Sequence, residues 1–301
     1  MAADVPRGFE QYAGEAVPQA AVGSPGKDGR LELLFGTDAD SGTVLQRDFA
    51  RVPFHVSGTL DHAPPADGTA VYVQSPTGGV AQGDRHDVSI RARQGATALV
   101  STQSATKVQS MTHNFARAEI EVAAGDGTHL EYVPGATILY PDARYTQSLT
   151  IELGSAATAI VGEVIVPGRL ARGEAFEFDR YAAGVEASGP DGRLFADRLT
   201  LSPGDDGAGP RTTGVLSGDV FGTLYAVTTT ECPAASLADA MADRVADCDP
   251  EAGVSTLPND AGSWVRVVGD STESVTDTLH AAWDGARQRL LGVPAPALRK
   301  Y

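Results

Sequence analysis

Short runs of alternating or β-branched residues dominate the chain from Gly29 to about Thr228 and predict β-strands. Turn signals such as Asp67-Gly68 and Gln94-Gly95 separate these runs, and almost no stretch keeps helical spacing. Many short strands of this kind are typical of a sandwich, a barrel or a β-solenoid, and the pattern alone leaves all three open. The clearest predicted strands are Ala70–Gln74, His86–Ala92, Thr97–Thr102, Ala118–Val122, Ser148–Leu153, Ala159–Val166 and Gly214–Thr228.

Two helices are predicted near the C-terminal end, over Ser236–Cys248 and Ser274–Leu291, with one more strand, Trp264–Val268, between them. Each helix begins with a Ser that has an Asp three residues later, which resembles a capping box, and Gly292 ends the second helix. We expect their apolar stripes to pack on the β body rather than to bind a ligand. The stripes are Leu237, Met241 and Val245 in the first helix and Val275, Leu279, Trp283, Ala286 and Leu290 in the second.

The charge balance limits the possible partners. The net charge is −16, from 39 acidic and 23 basic residues, so a nucleic acid would be repelled. The acids are spread along the whole chain, which favours adaptation to a salty, halophilic cytoplasm over a dedicated cation-collecting surface. Neither a long apolar run nor a signal-peptide pattern occurs, and we therefore expect a cytoplasmic protein without a membrane partner.

Known catalytic patterns are absent from the sequence. The Gly-rich loop Pro76–Asp84 matches neither phosphate-binding glycine pattern, and its spacing alone indicates a turn whose glycines need positive φ. No HExxH motif and no GxSxG nucleophile elbow occur. We therefore expect a protein that is not an enzyme.

Two acidic positions are candidates for metal chemistry. Asp84 and His86 would share one face of a strand and could hold Ni²⁺ or Zn²⁺ loosely, although an ordinary polar face of an edge strand is favoured. Glu163 lies inside the apolar run Ala159–Val166, where a carboxylate is costly unless it is paired or faces a wet cavity.

Several short motifs follow one another in a fixed order along the chain. They are Gly29–Leu33, Gly42–Leu45, Gly78-Gly79 and Gly83-Asp84, Gly95-Ala96, Thr102–Val108 with Gln103 and Lys107, Leu130–Pro134, Ile138, Ala143-Arg144, Gly162-Glu163, Gly168-Arg169, Arg172–Glu174, Asp197–Leu199, Trp264–Val267, and Trp283 with Arg287 and Leu291-Gly292. The series resembles the UreD/UreH family of urease accessory proteins from about Gly29 to Tyr301. Gln82 departs from it, because the family more usually has Gly there. Residues 1–28 are interpreted as a flexible leader before one domain, 29–301.

The resemblance implies a fold and a function. The fold is mainly β, with many short strands in a helical, solenoid-like body and about two C-terminal α-helices. The function is that of a scaffold, or chaperone, for nickel insertion into apo-urease during assembly of its metallocentre. The implied partners are UreF, the GTPase UreG, the apo-urease subunits and, indirectly, the metallochaperone UreE. No cofactor is bound tightly; Ni²⁺ or Zn²⁺ is bound in passing.

The resemblance also carries over site residues. Asp84, Glu163 and Asp197 match acidic positions that are associated with a water-filled nickel path through the family's proteins. Oxygen ligands would suit transit, because they hold divalent nickel more loosely than thiolates or imidazole clusters. The remaining motif positions are expected to be structural: Gly78, Gly79, Gly83, Gln103, Lys107 and Arg198.

Two alternatives remain beside the nickel scaffold. A carbohydrate-active β-solenoid enzyme would share the strand content and the scattered acids, but it predicts a regular repeat that is not visible. A metal-storage or sensor protein predicts dense His and Cys ligands, whereas the chain has six His and two Cys.

Overall fold

The computed structural model describes residues 5–15, 17, 25–60, 68–93, 95–203, 217–250 and 252–297. Two large β-sheets form the body, with strands numbered here in chain order. Sheet A contains β1 (Asp28–Asp38), β2 (Gly42–Arg51), β5 (Arg85–Ala92), β8 (Ala116–Ala124), β11 (Arg144–Leu153), β13 (Arg180–Gly189) and β14 (Gly192–Leu201). Sheet B contains β3 (His55–Leu60), β4 (Thr69–Gln74), β6 (Thr97–Thr102), β7 (Thr106–Val108), β9 (His129–Tyr132), β10 (Thr137–Leu139), β12 (Thr158–Val166), β15 (Val220–Thr228), β16 (Ala252–Thr256) and β17 (Gly262–Gly269).

The chain alternates between the two sheets and so winds as a coil. β5, β8 and β11 lie side by side and parallel in sheet A, while β6, β9 and β12, which follow them in sequence, do the same in sheet B. Antiparallel pairs close the ends, among them β1 with β2 and β13 with β14. The mainly β, solenoid-like body expected from the family resemblance is confirmed.

The alternation in the sequence produces the core between the sheets. Leu33, Ile90, Val122 and Ile151 stand opposite one another on four neighbouring strands of sheet A, and all four are buried. Burial of one such side chain contributes about 1.5–3 kcal/mol, so each strand is held to its register by the face that it buries.

Of the three α-helices in the described residues, two pack on the outer face of sheet B, and the third, α1 (Glu10–Ala13), has a single turn. α2 (Ala234–Val245) and α3 (Thr272–Leu291) begin two residues before the predicted starts. The predicted stripes are buried, except that Leu290 is only partly buried. No helix in the described residues is both long and apolar enough to cross a membrane.

The predicted capping boxes are wrong. In α3 the N-cap is Ser271, whose Oγ accepts a hydrogen bond from Ser274 N at 3.1 Å, and α2 follows Pro233 without a side-chain cap. Gly292 ends α3 with φ 71°, as predicted. The strand predicted over Gly214–Thr228 begins at Val220, and residues 214–216 lie outside the described residues.

A buried ionic contact joins α3 to sheet B. Arg287 Nη1 donates to Glu131 Oε2 at 2.9 Å, and Glu131 Oε1 lies 2.8 Å from His129 Nε2. His129 Nδ1 lies 2.5 Å from Thr158 Oγ1. The sequence did not reveal this contact, because Glu131 and Arg287 are 156 positions apart and no local pattern contains both.

Residues 5–15 pack against the body. Phe9 is fully buried, with its ring 5.1 Å from that of Phe115. Glu15 Oε2 accepts a hydrogen bond from Asn114 N at 2.5 Å and pairs with Arg144 at 3.0 Å. This part of the predicted flexible leader is therefore a packed segment.

Candidate functional site

A cavity of about 160 Å³ lies between the two sheets. A volume of about 10–15 Å³ open to the centre of a water molecule is enough to hold one water, so this cavity can hold several. Its wall runs from the Gly-rich loop past His86 to Gln147, Glu163 and Tyr225. Apart from these polar groups, the wall is largely apolar.

Glu163 is the carboxylic acid in this wall. Glu163 lies two residues after Val161 on β12, so both side chains point to the inner face of sheet B. The partial exposure of Glu163 is therefore to the cavity. Among the described residues, the one hydrogen-bond contact of Glu163 is long, at 3.5 Å from Gln147 Nε2 to Glu163 Oε2. Burial raises the pKa of Glu163 to about 7; nearby Arg266 lowers this pKa, and Asp197 raises it further.

Strand register brings Asp197 close to Glu163. Glu163 stands opposite Thr223 on β15, which stands opposite Arg266 on β17. From β14 in sheet A, Asp197 Oδ2 accepts hydrogen bonds from Arg266 Nη2 at 2.7 Å and from Tyr225 Oη at 2.6 Å. The two sequence-predicted acids therefore share one cluster, whose positive charge comes from Arg266.

Arg198 does not pair with its neighbour Asp197. Its side chain is 78% exposed and pairs with Glu186 at 3.0 Å on the outer surface of sheet A. Adjacent residues of a strand point to opposite faces, which explains why the motif Asp197-Arg198 places its two charges apart.

Buried tyrosines surround the Glu163 cluster. Burial raises the pKa of Tyr132 to about 12 and raises the pKa of Tyr145, Tyr181 and Tyr225 further above the usual value. At neutral pH these side chains are therefore neutral hydroxyls. Tyr132, Tyr145 and Tyr225 line the cavity together with Glu163, whereas Tyr181 does not. Oxygen ligands of this kind suit hard and borderline cations.

Asp84 lies in a different environment. It is fully buried, and its Oδ2 accepts hydrogen bonds from Lys27 Nζ and from Ala81 N, both at 2.9 Å. Its Oδ1 accepts a hydrogen bond from Lys27 N at 2.8 Å. Both carboxylate oxygens are thus occupied by contacts that hold the Gly-rich loop to the start of β1.

His86 shares the buried face with Asp84, as the alternation predicted, with 3.8 Å between His86 Nε2 and Asp84 Oδ2. Burial lowers the pKa of His86. Its Nε2 has no hydrogen-bond partner in the described part of the protein, and the ring lines the cavity. β5 lies between β1 and β8, so the expectation of an edge strand is wrong.

The remaining motif residues shape the loop end of the cavity. Gly78, Gly79 and Gly83 all have positive φ, in agreement with the strained turn expected from the sequence. A Cβ on Gly79 would lie 2.1 Å from Lys107 O, so the close approach of these two segments requires glycine. Gln103 N donates to Val73 O at 3.0 Å, while the Lys107 side chain is exposed.

Sequence reasoning missed Arg266, Tyr225 and Gln147. A charged residue inside an apolar strand is costly unless it is paired, and this criterion singled out Glu163. Arg266, inside the apolar strand Trp264–Val268, meets the same criterion. Within the described residues, no three His, Cys, Asp or Glu side chains are grouped so that they could hold a metal. The cluster therefore offers single oxygen ligands rather than a chelating site.

Comparison with known proteins identifies the family. Residues 27–300 match the family model described as "UreD urease accessory protein". A urease accessory protein UreD of Haloarcula marismortui is 56% identical over 303 residues and covers 100% of both chains, including residues 1–28 here. The corresponding protein of Natronomonas pharaonis is 46% identical over 299 residues, with 99% of both chains covered. That of Haloquadratum walsbyi is 40% identical over 293 residues, covering 97% of this chain and 95% of its own.

All three relatives come from halophilic archaea, in agreement with the salt adaptation that the spread of acids favoured. The family match runs through the Gly-rich loop, the β12 motif, the β14 motif and both large helices. The chain belongs to the UreD family of urease accessory proteins.

Proposed function

We propose that this protein is a cytoplasmic, non-catalytic scaffold that helps load nickel into apo-urease. It would act in an assembly with UreF and the GTPase UreG, supplied indirectly by UreE, and Ni²⁺ would pass through its interior. The observation that carries the proposal is Glu163, a carboxylic acid in a cavity between two sheets whose one hydrogen-bond contact within the described part of the chain is long. The family match disfavours the carbohydrate-active alternative.

The environment of Glu163 suits a ligand that binds and releases a cation. With its pKa raised to about 7, the side chain is about half protonated at neutral pH. An arriving Ni²⁺ would displace the proton to water and bind the carboxylate oxygen. At neutral pH the proton therefore competes with the cation only about twofold, and displacing the proton costs about 1.4 kcal/mol more for each unit by which the pH falls below the pKa.

The three predicted acids then take different roles. Asp197 is held by Arg266 and Tyr225, so it sets the local field beside Glu163 rather than binding strongly itself. Asp84 would have to give up Lys27 before it could bind a cation, and its contacts suit fixing the Gly-rich loop. We therefore propose Glu163 as the carrier ligand, Asp197 as its tuning partner and Asp84 as a structural residue.

The proposal assigns no reaction to the chain. Purified protein is expected to hydrolyse neither GTP nor urea, because it lacks a phosphate-binding loop and a nucleophile motif. Turnover that survives a second purification and disappears on a point substitution in this chain would contradict this expectation.

The decisive experiment compares Glu163→Gln with Glu152→Gln during urease maturation. Glu152 is an exposed acid on the outer face of sheet A and provides a matched control. Each variant is co-expressed with the urease subunits and the accessory partners, and nickel per urease active site is measured beside recovery of the complex. We expect Glu163→Gln to lower nickel about fivefold or more, a difference of about 1 kcal/mol, with the complex retained.

Full nickel occupancy with Glu163→Gln would refute a carrier role. Loss of the complex with Glu163→Gln, but not with Glu152→Gln, would show that Glu163 acts through folding or docking and would also count against the proposal.

A further inference from the structure

The ladder of sheet B is interrupted beside Glu163. β9 pairs with β12 as far as Tyr132 opposite Val161, and pairing resumes with Thr137 of β10 opposite Ile165. Between these points Gly162–Val164 has no ladder partner on that side, and residues 133–136 belong to no strand. The pairing of β12 with β15 continues unbroken on the other side, so the interruption is a local opening.

A second cavity, of about 350 Å³, lies on the other side of this opening, between sheet B and α3. Its wall includes Leu224 of sheet B and Trp283 of α3. The interior cavity and this outer cavity are lined in common by Thr102, Pro134, Gly135, Gly162, Glu163 and Val164. The two cavities therefore meet at the interruption of the ladder.

Gly162 makes room at this meeting point. It alternates with Glu163 and so faces α3, where a Cβ would lie 3.5 Å from Val133 Cγ1 and 3.6 Å from Leu224 Cδ1. A Cβ alone would make only ordinary contacts at these distances, whereas a side chain as long as Leu would fill the space. Its φ is not in the left-handed region, so backbone geometry is not what requires a glycine here.

The outer cavity carries polar groups of its own. Asp277 and His280 line it from one face of α3, and Asp277 is exposed at its rim. Trp283 Nε1 is fully buried and meets no acceptor in the described residues, so a water inside the cavity would satisfy it. His280 Nε2 donates to Pro296 O at 3.0 Å in the neutral ring, which leaves Nδ1 with a free lone pair.

We propose that the divalent cation crosses sheet B through this opening, from Glu163 to a mouth beneath α3 where Asp277 and His280 provide the next ligands. The proposal rests on the proposed function and adds the route and the mouth. Single carboxylate and imidazole ligands placed in succession would let a hydrated cation exchange one ligand at a time, without a site that traps it.

The first test closes the opening. Gly162→Leu places a side chain between Val133 and Leu224, and Gly253→Leu is its control, an exposed strand glycine of the same sheet outside both cavities. With UreF, UreG and apo-urease co-expressed, we expect Gly162→Leu to lower nickel per urease site about fivefold or more, and Gly253→Leu to leave it unchanged. Asp277→Asn should lower it about twofold, whereas Glu273→Gln, one turn earlier on α3, should not.

A reversible closure separates blocking from misfolding. In a background with Cys232 and Cys248 replaced by Ser, the purified Gly162→Cys protein is treated with methyl methanethiosulfonate and then with reductant. We expect nickel transfer to fall after treatment and to return after reduction in the same folded sample. Failure of this small reagent to react would show that the opening does not admit solutes and would refute the proposal, as would full transfer in the blocked protein.

The outcome with Glu163→Gln distinguishes the two proposals. Loss of nickel with Glu163→Gln but not with Gly162→Leu or the blocked Gly162→Cys protein would place the route elsewhere and leave the proposed function intact. Full nickel in all three would refute the proposed function together with the route.

Discussion

Asp84 and Glu163 are both enclosed carboxyl groups of the same fold, yet their surroundings differ in the number of hydrogen-bond donors. Asp84 receives two backbone N–H groups and the Lys27 ammonium, each within 2.9 Å. Glu163 has one long contact with Gln147 and faces a cavity instead. The donors around Asp84 stabilise a carboxylate that keeps its negative charge. Around Glu163, the pH or a bound cation determines whether the side chain is ionised.

The difference shows that burial of an acid does not by itself identify a metal path. A buried carboxylate with all its lone pairs occupied has no free oxygen to offer, and removing its partner leaves an uncompensated charge. A carboxylate that lacks donors but borders a cavity can exchange its proton for another cation. The number of hydrogen-bond donors around a carboxyl group therefore distinguishes a structural acid from a cation ligand better than its burial does.

The largest expected effect is on the Asp84 side. Asp84→Ala leaves Lys27 buried without its partner, and we expect the free energy of unfolding to fall by about 3–5 kcal/mol. The measurement is denaturant unfolding in molar salt, with Lys27→Met and the double variant included. The double variant should recover part of this lost stability. A loss below about 1 kcal/mol for Asp84→Ala would show that Asp84 is not a structural ion-pair partner, and the contrast with Glu163 would then be wrong.

Glu163→Gln should change stability in a pH-dependent way. The pKa of Glu163 rises from 4.5 in the unfolded chain to about 7 in the fold, so the folded state binds more protons between these values. The parent protein therefore loses stability as the pH rises through this window, by at most about 3 kcal/mol, and Gln removes the loss. Unfolding measured at pH 5 and pH 8 should show the variant gaining on the parent only at the higher pH.

A difference between Glu163→Gln and the parent that is the same at both pH values would contradict the assigned environment. Glu152→Gln, at an exposed position, is the control substitution.

Tyr225→Phe sharpens the comparison within the Glu163 cluster. It removes the 2.6 Å hydrogen bond to Asp197 but keeps the ring, which stacks on Phe195 at 5.5 Å. We expect the free energy of unfolding to fall by about 1.5 kcal/mol, the lower end for a bond to a charged acceptor, since Arg266 still holds Asp197. Unfolding of Tyr225→Phe in the Asp197→Asn background should show a smaller loss; an equal loss would mean that the bond contributes nothing.

Arg198→Gln should have the smallest effect, although it changes a motif residue. The pair with Glu186 is on the surface, where exposed ion pairs contribute about 0–1 kcal/mol, so stability should change by no more than about 0.5 kcal/mol. Nickel per urease site should not change. A large loss of nickel with an intact fold would instead identify the outer face of sheet A as functional.

The clearest strands were predicted well because burial leaves a simple pattern, which alternates along β5 and β8 and is nearly continuous along β4, β12 and β15. Thr97–Thr102 has the predicted bounds, and most of the other runs differ by a few residues at their ends. The helix starts were less accurate, because any Ser with an Asp three residues later satisfies the capping pattern. Only the path of the chain into α3 decides that Ser271 is the cap.

The roles of the predicted acids could not be read from the sequence. The partner of Asp84, Lys27, is 57 residues away, and the partner of Asp197, Arg266, is 69 residues away, so no local pattern contains either pair. Glu163 was recognisable because its immediate neighbours are apolar, a local property. The interruption of the sheet B ladder depends on register between separate strands, which no single stretch of sequence encodes.

The contact between Arg287 and Glu131 can form only late in synthesis, because its two residues are far apart in the sequence. The two residues are 156 positions apart, so a ribosome makes Glu131 and its neighbour His129 long before it makes Arg287. Until then, the growing chain carries a carboxylate in sheet B whose cationic partner does not yet exist. Docking of α3 can close this contact only after Arg287 has been translated, and a chain released before that point would leave the Glu131 carboxylate without it.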